Sequence, residues 1–120
     1  MALSLSTSNP HALLEAFRKR VNQDETHEKI TTWEENRQGN FTHKSLDVAG
    51  HAWMCPEVSE NILKFYIRAP KGSPINRYVY SYYHGHLSQT FINHFPTMFT
   101  SVSSTANAVM GDNIPGVYNS

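Results

Sequence analysis

The chain has 120 residues, with ten basic and ten acidic side chains, so its formal net charge at neutral pH is zero. This balance excludes a global basic field that would attract nucleic acid, and a single cysteine, Cys55, excludes an intrachain disulfide and a cysteine-rich zinc module. Neither a secretory leader nor an apolar run of membrane-spanning length is visible, so we expect one soluble, cytoplasmic domain covering residues 1–120.

The N-terminal quarter is expected to form an arm followed by a helix. Residues 1–9 alternate leucine with serine, a pattern that suits an arm able to add an edge strand or to reach a partner. Asn9 and Pro10 suit an N-cap and a first helical position, and the apolar spacing after them predicts a helix to about Gln23. The acidic stretch 24–38 is interpreted as a second, shorter helix with a solvated face.

The middle of the chain is expected to be extended. Loose alternation predicts a strand over residues 41–48, which resumes over 51–55 until Pro56 stops it. Residues 62–68 form the clearest strand because their apolar and polar side chains alternate strictly. One face of that strand holds Leu63, Phe65 and Ile67, and the other holds Lys64, Tyr66 and Arg68.

A hairpin loop over residues 70–74 is expected to lead into a tyrosine-rich strand over 78–83. Gly85 ends that strand. After it, leucine and phenylalanine recur every four residues and predict a helix that ends near Phe95, before Pro96. Residues 111–120 are expected to form a loose tail. These elements together predict an α+β, two-layer sandwich: an antiparallel sheet of three to four strands, with N-terminal and C-terminal helices packed on one face.

The leading functional hypothesis is a non-catalytic, homodimeric binding protein. No lysine or arginine follows Arg77, and Asp112 is the only carboxylate side chain after it; subunit interfaces are similarly poor in charge and rich in aromatic residues. The expected surface joins an aromatic sheet face to the uncharged C-terminal helix. It comprises Lys64, Tyr66, Arg68, Tyr78, Tyr80, Tyr82 and Phe95.

Two other interpretations of this surface stay open. A shift of register by one residue would bury the tyrosines, and an exposed tyrosine face could instead hold a small planar or anionic ligand. The order of helix, strands and helix is similar to that of double-stranded-RNA-binding domains. Those domains bind phosphate through lysines at the start of their last helix. The corresponding residues 86–90 include no lysine, so nucleic acid is not the expected partner.

A histidine-based, metal-dependent hydrolase is the enzymatic alternative. His84 and His86 would share one face of a strand, and a metal bound by imidazoles could activate water. His94 lies about 12 Å farther along the predicted helix, so a third ligand would have to come from His43, His51 or Glu57. No other cofactor is expected. A further alternative is a small-ligand-binding domain with a pocket between sheet and helices, and Cys55 is interpreted as a structural thiol.

Overall fold

The computed structural model describes residues 3–71 and 74–107, together with Val109 and Asp112. In chain order its elements are β1 (Leu3–Ser6), α1 (Pro10–Asn22), β2 (Trp33–Glu35), β3 (Phe41–His43), β4 (Trp53–Ser59), β5 (Ile62–Arg68), α2 (Arg77–His94) and β6 (Ser101–Ser104). The strands form one antiparallel sheet in the order β2-β3-β4-β5-β1-β6. The predicted α+β class is therefore confirmed, but the sheet has six strands rather than three to four.

The N-terminal segment is an inner strand and not an arm. β1 lies between β5 and β6, so that Leu3 is opposite Phe65 on one side and Ser104 on the other. Leu3 and Leu5 are completely buried. Their alternation with serine thus reflects a strand with one face in the core.

Both helices pack on the same face of the sheet. α1 begins as predicted, because the Asn9 side chain accepts a hydrogen bond from the Ala12 N–H (3.1 Å), and it ends one residue before the expected limit. The rings of Phe17 on α1 and Phe91 on α2 lie 4.8 Å apart, and each contacts Phe65 of β5, at 6.1 and 5.7 Å. The predicted two-layer arrangement is confirmed by this aromatic contact.

β5 has the bounds and the buried face that its alternation predicts, since its three apolar side chains are completely buried. β4 differs from the prediction because it continues through Pro56, which lies opposite Phe65. Proline lacks a backbone donor and is tolerated where a strand needs none. The pairing of β4 with β3 is at Met54 and Phe41, so Pro56 lies beyond that contact and interrupts no pairing with β3.

The predicted second helix over residues 24–38 is wrong, and the predicted strand over 41–48 is too long. Residues 24–32 form turns and irregular backbone, and β2 follows, with Trp33 buried opposite His43. β3 ends at His43, and the backbone then turns. The reason is that Ile30 and Trp33 are the only strong apolar residues of the acidic stretch, too few to give a helix a buried stripe.

The largest departure from prediction is the tyrosine-rich segment, which is helical. α2 begins at Arg77, where the Asn76 side chain accepts a hydrogen bond from the Val79 N–H (2.8 Å), and it ends at His94 as Pro96 predicts. Its buried residues are Val79, Tyr80, Tyr83, His84, Leu87, Thr90 and Phe91. The intrinsic preference of a residue for strand over helix amounts to roughly 1 kcal/mol or less. The free energy gained by burying this long stripe of side chains against the sheet outweighs that preference.

The chain after α2 returns to the sheet as β6, a strand that is not among the elements predicted from the sequence. Thr100 N–H donates to the Ser6 carbonyl (2.8 Å) at the entry to this strand.

The predicted loop over residues 70–74 leads to α2 instead of a strand. The described residues do not include Gly72 and Ser73 of this loop, nor the predicted tail 111–120 except for Asp112. In the described part of the chain, neither helix has the length and apolar character needed to cross a membrane.

Candidate functional site

The residues of the predicted aromatic surface lie on opposite sides of the sheet. Tyr78, Tyr80 and Tyr82 are on α2, which covers the buried face of the sheet, whereas Lys64, Tyr66 and Arg68 are on the opposite face of β5. Tyr80 and Phe95 are buried within their own chain, and Tyr78 is exposed. The structure therefore does not bring these seven residues together as one surface.

The two histidines proposed for a metal site also diverge. Neighbours two apart on a helix point to different sides, so His84 and His86 do not share a face as they would on a strand. His84 is buried beside Tyr80, and His86 lies against His43 on another side of α2. Among the residues that the structure describes, no group of three or more His, Cys, Asp or Glu side chains is arranged to hold a metal ion.

A cleft of about 490 Å³ lies between the N-terminal half of α2 and the residues that end and follow β6. We call it the His84 cleft. Its lining residues are Arg77, Tyr78, Tyr80, Ser81, His84, Gly85, Ser88, Ser104, Thr105 and Ala106. Aromatic rings and hydroxyl groups dominate this set, and the volume is within the range of small-molecule sites.

His84 has a defined tautomer and a free buried nitrogen. Its Nδ1 lies 2.6 Å from the Tyr80 carbonyl oxygen, which only accepts, so Nδ1 carries the proton and Nε2 carries a lone pair. Nε2 is the one buried side-chain nitrogen or oxygen, in the described part of the chain, that lacks a hydrogen-bond partner. Burial lowers the pKa of this imidazole, whose residue is 3% exposed, so it stays neutral at neutral pH.

Gly85 widens the cleft at the next position. It lies in the middle of α2 without a positive φ, so its backbone does not require glycine. A Cβ placed there would meet no atom within 4 Å. Since glycine costs a helix interior about 0.5–1 kcal/mol relative to alanine, α2 gives up stability here, and what it gains is open space beside His84.

The far wall of the His84 cleft is tied to α2 by hydrogen bonds. Arg77 Nη2 donates to the Asn107 side-chain oxygen (2.7 Å). The Tyr80 hydroxyl donates to the Thr105 carbonyl (3.1 Å). Residues 105–107 are thus held at a fixed distance from the helix, which keeps the cleft open between them.

A second histidine centre joins α2 to β3. The Ser45 N–H donates to His43 Nδ1 (2.9 Å), so the proton of neutral His43 is on Nε2, which lies 2.9 Å from His86 Nδ1. Burial, and then the neighbouring His86, lowers the pKa of His43 to about 4. Trp33 packs edge-on against His43 at 5.0 Å. Sequence reasoning considered His43 only as a possible third metal ligand and did not predict this hydrogen bond, because 43 residues separate the two rings.

Cys55 lies in β4 opposite Tyr66 and is half-buried. Burial raises the pKa of its thiol, and Arg68 opposes this only partly, so the group is protonated at neutral pH. His51, the nearest histidine in sequence, is exposed and outside β4. This arrangement supports the interpretation of Cys55 as a structural thiol and not a nucleophile.

No protein-family model, curated protein or solved structure matches this chain. The chemistry of the His84 cleft and of the His43–His86 pair is what indicates a function for this chain.

Proposed function

We propose that this domain binds a small organic ligand in the His84 cleft, and that the ligand donates a hydrogen bond to His84 Nε2. The observation that carries the proposal is the buried lone pair of that nitrogen. A buried acceptor without a partner costs roughly 1–3 kcal/mol, a cost that a ligand N–H or O–H group removes.

Two further features support a ligand at this place. Gly85 leaves room for a ligand to approach the helix backbone, at a position where alanine would make a more stable helix. After Arg77, its first residue, α2 carries no lysine, arginine, aspartate or glutamate, and Tyr78, Ser81 and Ser88 line the cleft with uncharged side chains. Sequence reasoning attributed this uncharged face to a subunit interface, and a cleft for an uncharged ligand accounts for it equally well.

The lining defines the chemical class of the ligand. Neutral His84 offers only a lone pair at Nε2, so it selects a donor and not an acceptor. The rings of Tyr80 and His84 stack at 4.0 Å on the wall of the cleft, and Tyr78 adds a third ring. Flat heterocycles or phenols with one N–H or O–H group match these walls best.

A pair of probes that differ by one hydrogen-bond donor tests this function. Indole and 1-methylindole have similar ring surface, but only indole can donate to Nε2. We expect indole to shift the amide NMR signals of α2 and of residues 104–106, and to bind about tenfold more tightly than 1-methylindole. Equal affinity for both probes, or shifts elsewhere on the domain, would contradict the proposal.

Replacement of the acceptor provides the matched variant. His84→Phe keeps a ring to stack on Tyr80 but removes the Nε2 lone pair, so it should abolish the preference for indole over 1-methylindole. His51→Phe makes the same change at an exposed histidine outside the cleft and should preserve the preference. An unchanged preference in folded His84→Phe would rule out the assigned role of Nε2.

Self-association is a second candidate, and the exposure of two large apolar residues favours it. Tyr78 and Ile92 on α2 are 56% and 54% exposed, four helical turns apart on the same side of the helix. A twofold contact through these residues would bury both, as subunit interfaces bury aromatic and aliphatic side chains.

A further inference from the structure

A smaller cleft of about 180 Å³ lies between the C-terminal half of α2 and residues 29–32. We call it the donor cleft. Its lining residues are Lys29, Ile30, Thr31, Thr32, His86, Gln89, Thr90, Asn93 and His94. None of these side chains is acidic, and each of the polar ones can carry an N–H or O–H donor.

The hydrogen bond with His43 decides the tautomer of His86. Because the Ser45 N–H occupies His43 Nδ1, His43 Nε2 carries the proton and donates to His86 Nδ1. The proton of neutral His86 is therefore on Nε2, its other ring nitrogen. Burial lowers the pKa of His86, which keeps it in this neutral form at neutral pH.

A different contact gives His94 the same tautomer. Arg20 Nη1, which can only donate, lies 3.2 Å from His94 Nδ1, so that nitrogen accepts and Nε2 carries the proton. Burial, followed by the positive charge of Arg20, lowers the pKa of His94. His86 and His94, which both line the donor cleft, thus each have an Nε2–H group. Their contacts with His43 and Arg20 involve Nδ1 and do not use this donor.

The donor cleft also has a positively charged side chain in its lining, that of Lys29. The Lys29 ammonium donates to the Gln23 carbonyl and has two further N–H groups. Glu28 is adjacent in sequence and its carboxylate acts on His94, where it partly offsets the effect of burial and of Arg20 on the pKa, but it pairs with Arg20 Nη2 (3.2 Å) and is not among the lining residues. A concave surface with a cation, several neutral donors and no carboxylate has the chemistry of an anion site.

We propose that the donor cleft binds a small oxoanion, either inorganic phosphate or the phosphate group of a small phosphomonoester. The cleft is large enough for one such group and little more. The fixed tautomers of His86 and His94 each present a donor without requiring the ring to take up a proton. Because the two residues are eight apart on α2, about 12 Å along its axis, the anion hydrogen-bonds to one of them and acts on the other through its charge. This site is separate from the His84 cleft, with which it shares no lining residue.

The test is a titration with inorganic phosphate at constant ionic strength, followed by imidazole nitrogen NMR. We expect saturable shifts of the protonated Nε2 signals of His86 and His94, with the signals of exposed His11 and His27 unchanged. Shifts that grow linearly without saturation, or that affect all of these histidines alike, would mean that the anion acts only by general screening. A spectrum with the proton on His86 Nδ1 would also overturn the proposal.

Charge-introducing variants of nearly identical shape provide the control. Gln89 and Asn93 are exposed, so Gln89→Glu or Asn93→Asp should fold normally. Each places a carboxylate in the donor cleft and should weaken phosphate binding about tenfold. Gln38→Glu adds the same charge in the β2–β3 turn and should leave the affinity within twofold; an equal loss in Gln38→Glu would refute a local site.

A parallel titration with glycerol phosphate distinguishes the two sources of the group. Tighter binding of glycerol phosphate than of phosphate identifies a phosphomonoester as the ligand class, and the reverse identifies the free ion. Binding of neither overturns the oxoanion site. Since Gln89 and Asn93 do not line the His84 cleft, failure here is independent of the indole experiment.

Discussion

The guanidinium of Arg20 on α1 donates to the backbone carbonyl of His94, the last residue of α2, across 3.1 Å. The same nitrogen contacts the His94 ring, and the guanidinium carbon lies 4.8 Å from the centre of the Phe95 ring. A positive charge thus lies at the carboxyl end of α2, where it interacts favourably with the helix dipole. The contact also joins the two helices of the layer.

Loss of this contact should destabilise the domain. Arg20→Met keeps much of the aliphatic stem but removes the charge and its hydrogen bonds, and we expect the free energy of unfolding to fall by roughly 1–2 kcal/mol. Urea unfolding measures this change. Lys19→Met, an exposed neighbour on α1, serves as the control and should alter stability by less than about 0.5 kcal/mol. Equal effects of the two variants would show that the interhelical contact contributes nothing.

The Tyr83 hydroxyl connects α2 to the backbone around β3. It is completely buried, donates to the Val48 carbonyl and accepts from the His43 N–H (3.3 Å). Tyr83→Phe leaves both backbone groups without this partner, so we expect a loss of about 1–3 kcal/mol of stability by thermal or urea unfolding. Tyr82→Phe makes the same chemical change at a partly exposed neighbour and should cost less than about 0.5 kcal/mol.

His43 should make the stability of the domain depend on pH between about 6.5 and 4. Its pKa is about 4 in the folded state, against an ordinary value of 6.5, so the unfolded chain binds the proton more readily in this window. The resulting stability is fully present above pH 6.5 and is lost as the pH falls towards 4, by roughly 2–3 kcal/mol.

A variant without the titrating ring isolates this contribution. His43→Asn retains an acceptor for the Ser45 N–H but does not titrate, so the slope of stability against pH should be smaller than in the unmodified protein. His51→Asn removes an exposed imidazole and should leave the slope unchanged. If His43→Asn retained the full slope, the carboxylates and the other histidines would have to account for it.

Gly85→Ala should change stability and ligand binding in opposite directions. The added methyl group finds open space, so α2 should gain roughly 0.5–1 kcal/mol of stability. The same group occupies part of the His84 cleft, so indole affinity should fall severalfold. Asn93→Ala raises helix propensity outside that cleft and should leave indole binding unchanged. An affinity that survives Gly85→Ala would show that the ligand lies elsewhere.

Self-association is tested by sedimentation over a range of concentrations. Tyr78→Asp and Ile92→Asp place charges on the exposed face of α2 and should prevent assembly if that face is the interface. Leu46→Asp, at a side chain that is 97% exposed outside α2, is the control. Aspartate at the buried Tyr80 or Phe95 would unfold the domain and so cannot report on assembly. A monomeric unmodified chain at high concentration excludes the dimer.

The tyrosine-rich segment shows where local sequence reasoning fails. Residues 78–83 favour a strand by composition, yet Val79, Tyr83 and Leu87 also recur at the helical spacing of four, which continues in Phe91. Asn76 as an N-cap was the signal that could have identified the helix. The sequence thus contains both the alternation of a strand and the spacing of a helix. The segment is helical because only a helix buries this whole stripe of side chains against the sheet.

The sequence by itself determined the α+β class, the extent of α1 and both faces of β5, because in these elements the local pattern and the buried face coincide. Only the tertiary structure decided the candidate sites. The packing of α2 leaves His84 Nε2 without a partner among the residues that the structure describes, and His43 meets His86 across 43 residues of sequence. Hydrogen bonds of this kind depend on positions within a fraction of an ångström, and periodicity determines only which side of an element faces the core.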